Sequence, residues 1–288
     1  MLERRRFLTK IFAKKLHDSQ KNDQIPPLAM FNQDVIGKSI FSDGYFEIRE
    51  IKCIKNHIIP KIKNRKIFLD IGANIGNQSV FFSDNFEKVK SFEPNPRTIK
   101  LLEANAMLKS NIEVNPFGLS DQEAVLDASF NTSNVGAASI GTNTNREIKV
   151  KFSVKPLDSV LSKNEQKNIS MIKIDVEGHE LKALKGARKT LEHSYPIILM
   201  EANKSDIHDG STHSIKYLSE IGYKHFYELV DSLHNRIQSK PIQKFINAIS
   251  VIATGKRISG NYKLMRINGP LRSENYKIIV CSTQDLEL

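Results

Sequence analysis

The ten residues Ile67-Phe68-Leu69-Asp70-Ile71-Gly72-Ala73-Asn74-Ile75-Gly76 constrain the fold of this chain more than any other stretch. Three apolar residues lead into an acid. Two glycines follow, with a small, a polar and an apolar residue between them. A short apolar run stopped by glycine reads as a buried strand that ends in a tight turn. Glycine there lets backbone approach a ligand where a side chain would intrude. Asn77-Gln78-Ser79-Val80-Phe81-Phe82 can then open a helix whose N-terminal amides face the crevice. This is the layout of a nucleotide-type site at the carboxyl end of the first strand of an open α/β sheet.

From residue 67 onward strands and helices alternate, which predicts a doubly wound, mostly parallel, Rossmann-like sheet of the α/β class. Seven strands are expected, at 67–70, 89–93, 112–117, 171–175, 197–201, 223–229 and 276–281. Helices are expected within 41–60, at 96–109, from Pro156, after Leu181 and at 213–221, with a meander over 122–154. Two regions stand apart. Residues 1–40 form a basic N-terminal arm ahead of a main domain at 41–288. Residues 230–275 form an insertion before the last strand, with an apolar stripe of Ile242, Phe245, Ile246, Ile249 and Ile252 suited to core packing, a lid or a membrane contact. In the arm, Phe7, Leu8, Ile11, Phe12 and Leu16 share a helical face. That pattern fits a helix lying on anionic lipid, or one packed on the domain or a partner, with an organellar presequence as a third option. Lys10, Lys14 and Lys15 break any secretory apolar core.

The turn argues for the kind of ligand. A dinucleotide fingerprint runs G-x-G-x-x-G and receives a pyrophosphate. Here the spacing is D-x-G-x-x-x-G, and Asp70 would repel a pyrophosphate while suiting an ammonium or sulfonium. S-adenosylmethionine carries both. Glu93, ending the second strand, occupies the usual place of a carboxylate that binds ribose hydroxyls. Acids at the ends of parallel strands converge on one crevice, which would gather Asp70, Glu93, Asp121, Asp175 and Glu201. The most informative is Asp175-Val176-Glu177-Gly178-His179-Glu180, where acids, a glycine and a histidine crowd the end of a buried strand. The dipole of the following helix accounts for Glu177 and Glu180, but not readily for Asp175 or the glycine.

At this point the chain resembles the FkbM-type family of S-adenosylmethionine-dependent methyltransferases, on the class I methyltransferase fold. The matching segments are F-L-D-I-G-A-N-I-G-N at 68–77, S-F-E-P-N-P at 91–96, G-L-S-D at 118–121, M-I-K-I-D-V-E-G-H-E at 171–180, L-K-G-A at 184–187 and P-I-I-L-M-E at 196–201. The likeness spans about 41–229. It implies that Asp70, Gly72, Asn74 and Gly76 shape the methionine end of the cofactor. Glu93 would take the ribose, and Asp121 would sit near the adenine. Asp175 would lie beside the amino group or the methyl, with Glu177 and His179 toward the acceptor.

Methyl transfer from a sulfonium is an in-line displacement, so alignment and desolvation supply much of the rate. A hydroxyl acceptor gains from a base, and neutral imidazole suits that work near pH 7. His179 is the expected base, with Glu177 and Glu201 as rivals, unless it stands exposed in the first helical turn. A divalent metal on Asp175, Glu201 and Asn203 is chemically feasible but is not expected.

Net charge is +11, distributed as +8 over residues 1–66, −1 over 67–203 and +4 over 204–288, so the basic surplus lies in the flanks. A nucleic-acid enzyme would more often line its catalytic face with that excess. The expected activity is O-methylation of a sugar, glycan or small molecule, with an acidic or lipid-linked acceptor suiting the flanks. A nucleic-acid methyltransferase, a NAD-binding reductase and a non-catalytic binding protein are the rivals. The first lacks an Asn/Asp-Pro-Pro-aromatic strand end, and the second has the wrong turn spacing. Cys53 and Cys281 match no metal or redox spacing. Together with the missing signal, they point to cytoplasmic placement, at the inner membrane face if the arm meets lipid.

Overall fold

The structure is a computed structural model that describes residues 26–32, 34–131, 134–140, 148–231 and 262–287. The amphipathic stretch of the arm and the stripe at 242–252 lie outside these residues. Before the sheet come α1 (Val35–Asp43) and α2 (Ile48–His57). Asp34 caps α1, its carboxylate accepting from the Gly37 amide at 2.6 Å. The main alternation then runs β1 (Ile67–Ile71), α3 (Asn77–Phe82), β2 (Lys88–Phe92), α4 (Thr98–Ala106) and β3 (Ile112–Asn115). Strands β4 (Gly118–Leu119), β5 (Ala124–Asn131), β6 (Asn134–Ile140) and β7 (Ile148–Lys155) follow. After short α5 (Leu157–Val160) and α6 (Lys163–Gln166) come β8 (Ile169–Ile174), α7 (Glu180–Gly186), α8 (Arg188–Ser194), β9 (Ile197–Ala202) and α9 (His213–Glu220). The chain closes with β10 (His225–Asp231), β11 (Tyr262–Arg266) and β12 (Tyr276–Ser282).

The main sheet has the order β11-β10-β12-β9-β8-β1-β2-β3. It is parallel from β3 through β9 and antiparallel at β12, β10 and β11. All seven expected strands are there. An eighth, β11, comes from the insertion and pairs with β10, placing Tyr262 opposite Asp231. The meander is a second sheet, ordered β4-β7-β5-β6. The third strand stops at Asn115, short of 117, because Pro116 has no amide to donate to a ladder.

Every residue of β1 is buried, because helices cover both faces of the sheet. Alternation sends Leu69 and Ile71 to one core with Ile172, Ile174, Leu184, Leu191 and Leu218. Phe68 goes to the other core with Ile51, Ile54, Ile58, Phe82 and Met171. Asp70 is fully buried on the Phe68 side, a position that only a specific set of partners makes tolerable. Among the described residues no helix is long and apolar enough to cross a membrane.

Candidate active site

The carboxyl ends of β1, β2, β8 and β9 open onto a cleft of about 230 Å³. Its lining includes Gly72, Asn74, Glu93, Asp175, Glu177, His179 and Glu201. Of the residues singled out from sequence, Asp70, Gly76 and Asp121 lie outside that lining. Asp70 sits beneath it and Asp121 is exposed.

The turn after β1 is built by close approach. Gly72 has φ +75°, and a Cβ there would lie 1.9 Å from the Asp175 carbonyl oxygen, so the two strand ends touch through backbone. Asn74 also has positive φ, and its amide donates to Glu93 Oε2 at 2.8 Å. The Asn95 amide donates to Glu93 Oε1, also at 2.8 Å. Burial raises the Glu93 pKa, and these two amides oppose the rise. Asp70 Oδ2 accepts from Ser79 Oγ at 2.5 Å, and Ser91 Oγ lies 2.8 Å from that hydroxyl.

Lys173 was not anticipated. It lies opposite Asp70 in the β1–β8 register, and its ammonium donates to the Gly72 carbonyl at 2.8 Å. The same ammonium stands 3.4 Å from Asp70 Oδ1 and 3.4 Å from Asp175 Oδ2. Burial opposes its charge, but Asp175, Asp70 and Glu201 outweigh burial and its pKa is raised. The signal in sequence was a lysine inside the apolar run I-S-M-I-K-I.

His179 is buried, with 7% of its surface exposed, at the N-cap of α7. Its Nε2 lies 3.0 Å from Ser120 Oγ, and that hydroxyl donates to Asp121 Oδ1 at 3.0 Å. Burial lowers the His179 pKa, Lys182 adds to the effect, and Asp121 opposes it, which keeps the ring neutral at pH 7. Glu177 is exposed, in a left-handed conformation with φ 52°. Glu201 is pushed up to about 8, by burial first and then by Asp175 and Glu47. Burial also carries Glu47, in the turn before α2, up to about 7.

Two walls come from outside the alternating core. Phe152 and Val154 of β7 form one. Val35, Ile36 and Phe46 form the other, and two asparagines pin their segment. Asn77 accepts from the Phe46 amide at 3.0 Å and donates to the Phe46 carbonyl at 3.0 Å. Asn105 makes the same reciprocal pair with Ala29, at 2.7 and 3.0 Å, and also donates to the Ile75 carbonyl at 2.7 Å.

The strand order and the place of this cleft, at the carboxyl ends of the parallel strands, are those of the class I methyltransferase fold. The chain belongs to the FkbM methyltransferase family, since the Methyltransferase FkbM domain matches residues 70–225, just over half its length. The hexuronic acid methyltransferase AglP of Haloferax volcanii is 29% identical over 139 residues, which are 47% of this chain and 55% of that protein. The chain thus spans about half the length of that curated relative. Methyltransferase FkbM from Methylobacillus flagellatus KT is 22% identical, with TM-score 0.35, covering 48% of this chain and 33% of the other. A precorrin-6y C5,15-methyltransferase from Geobacter metallireducens GS-15 is 15% identical, with TM-score 0.43, covering 83% and 88%.

Proposed function

We propose that this protein transfers a methyl group from S-adenosylmethionine to a hydroxyl of a sugar or similar small polyol. The observation that carries the reading is the chain from exposed Asp121 through buried Ser120 to buried His179, at the edge of a cleft that also holds Asn74 and Glu93. Family membership and the sugar-directed relative support it. The residues fit the cofactor. Gly72 lines the cleft, and the Asn74 side-chain oxygen is buried there without a hydrogen-bond partner. Glu93 supplies a carboxylate for hydroxyls, and Asp175 one for an ammonium. When bound, the cofactor supplies an electrophilic methyl on sulfur.

The protein's own part is to orient the acceptor and take its proton. With Ser120 donating to Asp121, the Ser120 oxygen accepts from His179 Nε2, and Nδ1 is the ring atom left to accept. His179 Nδ1 is the base in this reading, poised because the imidazole is neutral near pH 7. Three carboxylates (Glu93, Asp175 and Glu177) line the cleft beside Glu201, whose pKa of about 8 leaves it largely protonated at pH 7, and among the described residues no lysine or arginine does. That charge pattern favours a neutral acceptor over an acidic one, because carboxylates accept from hydroxyls and repel a uronate.

The test is calorimetric titration with S-adenosylmethionine and S-adenosylhomocysteine, followed by turnover on matched neutral and acidic sugars. The expected result is micromolar binding, with turnover cut about 100-fold in His179→Ala while cofactor binding holds. Absence of binding by either ligand would remove the reading.

A further inference from the structure

We infer that Lys173 is a positioning residue for the charged end of the cofactor: from inside the sheet it clamps the Gly72 carbonyl and lets Asp70 and Asp175 stand together. The inference rests on reading the cleft as an S-adenosylmethionine site. A strand buried on both faces has no use for an ammonium as packing, and lysine is among the residues least often buried without a partner. An isoleucine or leucine would simply continue the apolar run of β8. Instead the side chain is 10% exposed and meets three oxygens from three parts of the site. Those oxygens belong to the end of β1, the glycine turn and the end of β8.

The two acids are held differently. Asp70 has one oxygen satisfied by Ser79, while Oδ1 is buried without a hydrogen-bond partner and has the Lys173 ammonium 3.4 Å away. Asp175 lines the cleft and shares the same ammonium. Glu93 just after β2 and Glu177 from the loop after β8 add acids around them, and burial in the same crowded group pushes Glu201 of β9 up to about 8 and Glu47, in the turn before α2, up to about 7. Lys277 of β12 stands behind Glu47 but is paired to Glu50 at 2.5 Å. Lys173 is therefore the buried cation, among the described residues, that offsets this group. Without it the carboxylates would hold protons to higher pH and turn the cofactor's ammonium away.

The test measures S-adenosylhomocysteine affinity against pH in wild type, Lys173→Met, Lys173→Gln and Lys173→Arg. The pH at which affinity has fallen to half should move up by about one unit or more in the Met and Gln variants, a loss of about fivefold or more at the wild-type midpoint. It should stay within a few tenths of a unit in the Arg variant. A lysine needed only for packing would change melting temperature and leave that midpoint where it was. Lys173→Gln keeps a donor for the Gly72 carbonyl and carries the test if Lys173→Met does not fold. An unmoved midpoint in either folded neutral variant, or a shift of a unit in folded Lys173→Arg, overturns the inference. Wild-type protein that binds neither cofactor nor product would instead sink the underlying methyltransferase reading.

Discussion

Replacing Gly72 by alanine separates two costs that a glycine turn combines. The first is conformational: at φ +75° an L-residue loses about 1 kcal/mol. The second is contact, because the new Cβ would sit 1.9 Å from the Asp175 carbonyl oxygen and 3.1 Å from Val176 Cγ1. The first of these neighbours is backbone, so β8 must shift. Overpacking of that kind costs about 1–3 kcal/mol, giving a total of about 3 kcal/mol. At roughly 2–4 °C per kcal/mol for a domain of this size, Gly72→Ala should melt about 6–12 °C lower. Gly178 supplies the control, with φ +93° and no heavy atom within 4 Å of its added Cβ. Gly178→Ala therefore carries the conformational cost alone, about 1 kcal/mol. Urea denaturation read by circular dichroism measures both variants. A shifted Asp175 should also cut S-adenosylhomocysteine affinity in Gly72→Ala by about tenfold, or 1.4 kcal/mol. Equal destabilisation of the two variants would refute the argument that the strand ends touch at Gly72.

Two further outcomes follow from other parts of the molecule. Asn105→Ala leaves the Ala29 amide and carbonyl and the Ile75 carbonyl without their partner. It should lower stability by about 1–3 kcal/mol in urea titration and speed proteolysis before residue 47, whereas Asn111→Ala, whose amide bonds only the Ser83 and Phe86 carbonyls, should leave that cleavage rate alone. Glu201 has a folded pKa of about 8, raised above its ordinary value, so its contribution is complete below the ordinary value and is lost as pH climbs through about 8. Glu201→Gln should therefore gain on wild type in urea midpoint between pH 5 and pH 9. A pH-independent difference would show that the carboxyl is not held protonated.

Much of the parallel sheet was legible because its strands are short apolar runs closed by an acid or a glycine. Burial on both faces demands that pattern. The parts that escaped depend on partners distant in sequence. Strand β11 is five residues, Tyr-Lys-Leu-Met-Arg, whose pairing becomes meaningful only beside β10. Helix α1 carries Gly37 and scattered apolar residues, and its packing against the cleft overrides that weak local preference. At the site, convergence of strand-end acids brought Glu93, Asp175 and Glu201 onto the cleft. The same reasoning could not reveal that Asp121 joins His179 through Ser120, because that contact spans 59 positions in the chain. Lys173 is a lone lysine in an apolar run, and only its register opposite Asp70 gives it meaning.

The segment pinned by Asn77 and Asn105 lies upstream of the stretch shared with the family, which begins at residue 70. Yet Val35, Ile36 and Phe46 belong to the wall of the cleft. The family match thus leaves this part of the cleft wall outside it. Two relatives that match from residue 70 onward can carry different roofs on the same floor, and can then admit acceptors of different shape without any change in the matched residues. A chimera that exchanged residues 26–47 between two such chains would move that part of the selectivity as a portable unit, provided both keep asparagine at the two anchoring positions.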